Sequence, residues 1–172
     1  MDRHVDRRAV AKGAGALTGV AAALKLLQAT AQVPDPATPG GTVEQSLYDR
    51  LGGIFPIAAV VDRFSDAILT NPILNQNPAL MAWNQTEAPT RLPGLKFMRT
   101  IWLAAKTGGP FVYTGLPLHQ AHARFHLTSE EFDAVGAEIV RALDFYKVPA
   151  REQQQLVAAY MLTKPEVVTA AG

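Results

Sequence analysis

The sequence predicts an all-α domain, and three observations carry that reading. From Val43 onward apolar residues recur at three- and four-residue spacing. No stretch alternates apolar and polar residues at every second position, as a half-buried strand would. Glycine and proline clusters cut the periodic stretches into pieces of helix length.

Taken in order, a short first helix is expected over residues 43–51. Ile54, Ile57, Ala58, Val61, Phe64 and Ile68 then form one stripe between the Gly52-Gly53 break and Asn71-Pro72. Residues 72–93 hold Pro72, Pro78, Pro89 and Pro93, which limits this segment to short helical turns. Long irregular segments of compact domains are often site walls. A second stripe runs Leu95, Met98, Ile101, Trp102, Ala105 and stops at Gly108-Gly109-Pro110. The third long helix opens at Thr128-Ser-Glu-Glu131, a capping box in which hydroxyl and carboxylate satisfy each other's free backbone N–H groups. It continues through Phe132, Val135, Ile139, Ala142, Leu143 and Tyr146. Pro149 starts a fourth, with Leu156, Ala159, Tyr160 and Thr163 inward, ending near Lys164-Pro165. The expected packing is bundle-like, without an internal repeat.

With 172 residues, 48% of them hydrophobic, the chain has material for one compact core. Its formal charge is +1, but residues 1–31 hold five basic residues against two acidic ones, leaving 11 basic and 13 acidic residues in the remainder. A nearly neutral body with no clustered Lys/Arg face offers no footprint for a phosphate backbone, so no nucleic-acid partner is expected. The absence of cysteine excludes disulfides, thiolate metal ligation, covalent c-type heme attachment and cysteine nucleophiles.

The first 31 residues have the order of a cleaved export peptide: a basic head with Arg7-Arg8 and Lys12, an apolar run from Gly13 to Leu27, and the small-x-small end Ala29-Thr30-Ala31. The arginine pair and Ala/Gly-rich run resemble the twin-arginine export signal, with cleavage expected after Ala31 and a periplasmic product. Lys25 interrupts the apolar run, leaving it short of the roughly 20 residues of a spanning helix. An uncleaved anchoring helix is the alternative, and after cleavage no membrane span remains. Residues 32–42, with Pro34, Pro36, Pro39, Gly40 and Gly41, read as a linker.

Three of the four histidines fall within eight positions, at His119, His122 and His126. With Pro117 in a first helical turn, Leu118, Ala121, His122 and Phe125 share one face. His122 thus projects from an apolar stripe. A neutral imidazole there can bind iron through one ring nitrogen when a backbone carbonyl holds the other. Heme, chiefly an apolar plate, would find aliphatic and aromatic walls in Leu118 and Phe125. The same spacing also suits a packed core histidine. His122 and His126 could instead share a zinc ion, although Glu87 is the one carboxylate between Asp66 and Ser129.

Across about Ser46 to Val168 the chain resembles the truncated hemoglobins of the first group. The carrying segments are Ser46-Leu-Tyr-Asp-Arg-Leu-Gly-Gly53, Val60-Val-Asp-Arg-Phe64, Leu95-Lys-Phe97, Thr107-Gly-Gly-Pro110, Tyr113-Thr-Gly115, Ala121-His122 and Val148-Pro149. The resemblance implies a two-over-two helical sandwich around heme b, pairing the stripes at 54–68 and 95–105 and those at 131–146 and 150–163. It puts His122 on the iron, with Phe64, Leu95, Met98, Trp102, Tyr113, Leu118 and Phe125 lining the pocket. His119 then belongs at the heme edge or in solvent, and His126 at the helix end. The domain division that follows is 1–31 signal peptide, 32–42 linker, 43–168 truncated-globin domain and 169–172 tail.

On the side opposite His122 the chain departs from many relatives. Ser65 stands where they carry a tyrosine whose hydroxyl donates to the ligand, and a serine is too short to do so except through water. Arg99 is the one long donor in that turn, a residue type more often solvated or paired with a propionate. The implied function is reversible binding of a diatomic ligand (oxygen, nitric oxide or carbon monoxide), with modest oxygen affinity because a donor worth roughly 1.5–3 kcal/mol is missing. Nitric-oxide removal, electron transfer or a peroxidase-like reaction, with an unidentified reductant, are further roles of this class. The alternative from another class is a heme-free exported helical interaction module in which His122 is structural.

Overall fold

A computed structural model describes residues 44–170. The expected export signal, residues 1–31, and the linker, residues 32–42, lie outside the described residues. Within them every regular element is helical: α1 Leu47–Arg50, α2 Ile54–Leu69, α3 Pro78–Thr86, α4 Ala88–Lys106, α5 Leu118–His122, α6 Ser129–Phe145, α7 Ala150–Met161 and α8 Lys164–Val167. Single 3₁₀ turns at Leu74–Gln76 and Ala123–Phe125 complete the set.

The expected pairings are present: α2 packs on α4 and α6 packs on α7, while α2 also lies against α6 and joins the two layers. One face of each long helix supplies the shared core: Ile57, Val60, Val61 and Phe64 from α2, Leu103 and Ala104 from α4, Ile139, Ala142 and Leu143 from α6, and Leu156 from α7. The three- and four-residue spacing of these positions is what keeps them on one side of each helix.

Residues 72–93 are more helical than their prolines suggested. Asn77 caps α3, its side-chain oxygen accepting from the N–H groups of Ala79 at 2.9 Å and Leu80 at 3.2 Å. Pro78 follows as the first helical residue, where a missing N–H removes no intrahelical bond. Helix α4 begins at Ala88, seven residues before the apolar stripe, with Pro89 in its first turn. Pro93 lies inside α4 and is exposed, so it forfeits one backbone hydrogen bond on the solvent side.

The two sharp breaks are where glycine is required. Gly108 has φ +89°, outside the range that side chains favour. A Cβ on Gly109 would stand 2.5 Å from the Tyr48 ring and 2.8 Å from the Ala104 carbonyl oxygen. Tyr48 needs that closeness, because its N–H donates to Thr107 O at 2.8 Å and its ring meets Phe111 at 5.9 Å between centroids. Helix α1 is fastened to α7 as well, through Arg50 Nε on Glu152 Oε1 at 3.0 Å.

Two measurements test this packing. Leu143 is fully buried, so Leu143→Ala is expected to lower unfolding free energy by about 2–5 kcal/mol in a urea titration. The hydrogen bond from Arg50 holds the Glu152 carboxyl below its ordinary range against the opposing effect of burial. Its stabilisation is therefore present at neutral pH and lost as pH falls through the carboxylate range. The wild-type advantage over Glu152→Gln in urea midpoint should shrink between pH 7 and about pH 3; an advantage that grows on acidification contradicts the pairing.

Candidate functional site

Helix α5 is five residues long, too short to hold itself, and its position is set by its neighbours. Pro117 caps its start and fixes the entering chain, with φ −51° and ψ 145°. After His122 the backbone tightens into the 3₁₀ turn and ends at His126, which is left-handed at φ 49°. Asn77, having capped α3 with its oxygen, donates from Nδ2 to the Phe125 carbonyl at 2.9 Å. Arg124 grips Glu87 with both terminal nitrogens, at 2.8 and 3.2 Å, and Arg91 joins the same carboxylate at 2.6 Å. These donors hold the Glu87 carboxyl below its ordinary range. The segment bearing His122 is thus tied to the two helices across from it.

His122 is half-buried, and its Nδ1 lies 2.8 Å from the Leu118 carbonyl oxygen one turn earlier. A carbonyl only accepts, so Nδ1 carries the proton and Nε2 presents a lone pair. Nε2 has no hydrogen-bond partner among the described residues. Burial pushes the imidazole below its ordinary range, the Leu118 carbonyl opposes this, and the nearby Arg99 charge adds to the depression. His122 is therefore neutral at pH 7. Leu118 and Phe125, which share its helical face, pack with Leu80, Leu127, Phe132, Tyr160 and Val167 in a second apolar cluster.

A cavity of about 270 Å³ opens beside α5, lined by Trp102, Ala105, Lys106, Tyr113, Pro117, Leu118 and Glu166. The Tyr113 hydroxyl donates to the Leu116 carbonyl at 3.1 Å, fixing the loop that leads into the helix. Trp102, Tyr113 and Leu118 from the sequence-derived set meet here. Phe64 lies deeper, in the main core, while Leu95 and Met98 sit half-buried earlier on α4 and do not line this cavity.

Arg99 occupies an unexpected position. Its Nη1 donates to Ser65 Oγ at 3.0 Å and its guanidinium lies 5.7 Å from the Phe64 ring. Ser65 is fully buried. Part of Arg99 is accessible, and burial of the rest lowers its pKa to about 10, an effect that the Tyr160 phenolate would oppose only well above neutral pH. The guanidinium remains charged at pH 7 and is anchored to α2 through Ser65.

His119 and His126 are both exposed, and among the described residues no group of three His, Asp or Glu side chains converges on a metal position. The shared zinc site drawn from the His122/His126 spacing is not formed: the left-handed residue at 126 takes that ring off the helical register. Residues the sequence did not flag are Lys106 and Glu166 on the cavity wall, Asn77 and Glu87 as braces, and Tyr160. The Tyr160 hydroxyl donates to the Phe132 carbonyl at 2.7 Å while its ring stacks on Phe132 at 4.4 Å. An asparagine directly before a proline carries a cap signal that could have found Asn77; the others are brought in by tertiary packing alone.

Comparison with known proteins gives this geometry a family. A group 1 truncated hemoglobin of Mycolicibacterium paratuberculosis is 29% identical over 124 residues, 72% of this chain and 85% of that protein. The fold matches the truncated hemoglobin of Tetrahymena pyriformis in its Fe(III) form with a TM-score of 0.63, at 21% identity over 73% of this chain and 99% of that one. It matches the group II truncated hemoglobin of Bacillus anthracis with a TM-score of 0.62, at 21% identity over 74% of this chain and 94% of that one. The model of the bacterial-like globin family matches residues 46–168. The chain is a heme-binding member of the bacterial-like globin family.

Proposed function

We propose that His122 is the axial iron ligand of a heme b globin that reversibly binds a diatomic ligand: oxygen, nitric oxide or carbon monoxide. The observation that carries this reading is the Leu118 carbonyl on Nδ1, which leaves Nε2 with its lone pair on a helical face whose Leu118 and Phe125 pack into an apolar cluster. That donor set fits heme, which needs one basic nitrogen and walls of hydrocarbon. Trp102, Tyr113, Leu118 and Phe125 would face the plate. Lys106, whose ammonium lies 5.8 Å from the Trp102 ring, stands where a propionate would meet a cation. When bound, the heme supplies an iron atom with one position left for the ligand. His122 would hold the iron, and Arg99, anchored by Ser65, would be the long donor offered to the ligand.

Membership in the globin family removes the premise of a heme-free interaction module. Modest oxygen affinity is the reading carried by Ser65, whose hydroxyl accepts from Arg99 Nη1 at 3.0 Å. Nitric-oxide removal with an external reductant is a finer reading of the same site, supported by the charged group available there.

Export to the periplasm by the twin-arginine route is the reading of residues 1–31, supported by Arg7-Arg8 and Ala29-Thr30-Ala31. Among the described residues no helix is long and apolar enough to cross a membrane.

Protein purified with heme available is expected to show an intense Soret band at one heme per chain. His122→Ala should lose most of that absorbance, while urea unfolding of the two heme-free chains differs by less than about 1 kcal/mol at this half-buried position. A full Soret band in the variant with an unchanged spectrum contradicts the assignment. N-terminal sequencing of the periplasmic fraction is expected to begin at Gln32; recovery of the whole chain in the membrane fraction contradicts cleavage.

A further inference from the structure

A second cavity of about 270 Å³ lies among α1, α2, α4, α6 and α7. It shares no residue with the cavity beside α5 or with the apolar cluster of Leu118 and Phe125. Its floor is hydrocarbon of the main core, from Ile57, Val60, Leu103, Leu143 and Leu156, all buried. Its rim reaches the surface, where Pro56, Tyr146, Lys147 and Pro149 are exposed. The role read for His122 uses none of these side chains.

Charge along this lining has one sign: Arg50 and Lys147 are its charged residues, and no carboxylate is among them. Glu152 meets the Arg50 charge at 3.0 Å, whereas Lys147 takes no part in the ion pairs among the described residues. Lys147 also stands on unusual backbone. At the end of α6 its N–H donates to the Asp144 carbonyl and the Val148 N–H to the Leu143 carbonyl, both at 3.0 Å, with Lys147 left-handed at φ 55°. Glycine is the usual residue at that position of a helix end. Here a long cation holds it, flanked in the chain by two further cavity residues, Tyr146 and Val148.

A hydrocarbon floor with a cation at the mouth matches a molecule that has an apolar tail and one negative head. Seating the tail removes apolar surface from water, while the head stays hydrated beside the lysine and avoids the penalty of a buried charge. The volume is just below the roughly 300–1,000 Å³ of pockets that enclose drug-sized molecules, which keeps the tail to medium length. We propose that this cavity binds a medium-chain monocarboxylate, with its tail toward Leu103 and Leu143 and its carboxylate at Lys147. The step is an association in which no bond forms or breaks. It does not depend on which side chain holds the iron.

The test is calorimetric titration of the heme-loaded protein with sodium butanoate, hexanoate and octanoate, with 1-octanol as the neutral control. Affinity is expected to rise about two- to fourfold per added methylene, the scale of burying one such group. The Soret band should stay unchanged throughout. Lys147→Glu should weaken octanoate by at least about fivefold and octanol by less than about twofold, because only the acid meets the reversed charge. Lys147→Gly, which suits the left-handed backbone, should show the same selectivity with a smaller loss. Val148→Phe narrows the cavity and should weaken acid and alcohol alike, by at least about tenfold. Affinity that is flat across the chain-length series, or octanoate binding indifferent to Lys147→Glu, overturns the proposal. Undiminished octanoate binding by a folded Val148→Phe protein, or a Soret band shifted by the acid, puts the ligand elsewhere and overturns it too. Should Val148→Phe not fold, the chain-length series and the two Lys147 variants decide.

Discussion

The hydrogen bond between His122 Nδ1 and the Leu118 carbonyl decides what this molecule can do. It fixes the tautomer, leaves Nε2 with its lone pair and orients the ring along a helix only five residues long. The bond depends in turn on that helix staying where it is, which its own backbone cannot ensure. Asn77 on the Phe125 carbonyl, the Glu87 clamp on Arg124 and the Pro117 entry do that work from outside. The larger four-helix frame serves to hold those braces at the right separation.

Charge is distributed unevenly around the imidazole. On its own helix the Leu118 carbonyl holds Nδ1, and burial keeps the ring neutral, the state that can bind metal. Across the interior a guanidinium is desolvated with a serine hydroxyl as its single hydrogen-bond partner among the described residues. The two facts belong together: the Arg99 charge itself disfavours a proton on His122, so one group helps keep the other basic nitrogen free.

Much of the frame was legible in the sequence because it obeys local rules. The stripes in α2 and α6 keep strict helical spacing, the Thr128/Glu131 box forms with both of its bonds, and Gly108-Gly109 ends α4 where a side chain would collide with Tyr48. The segment 72–93 was underestimated for an equally local reason. Prolines were counted as breakers, whereas Pro78 and Pro89 stand in first turns, where proline is at home, and Pro93 faces solvent. The spacing of Leu118, Ala121 and His122 pointed to the imidazole, but left its tautomer and its partner open. Arg99 was legible as the one long donor on the side opposite His122, but not its partner: only the packing of α2 against α4 brings its guanidinium to Ser65.

The central claim is that His122 Nε2 is the bond between protein and iron, and imidazole rescue addresses it most directly. Resonance Raman spectra of the ferrous protein should show an iron–histidine stretching band. His122→Gly should lose the band and recover one when free imidazole fills the vacated space. Persistence of the original band in His122→Gly without added imidazole would place the iron on another ligand and contradict the account.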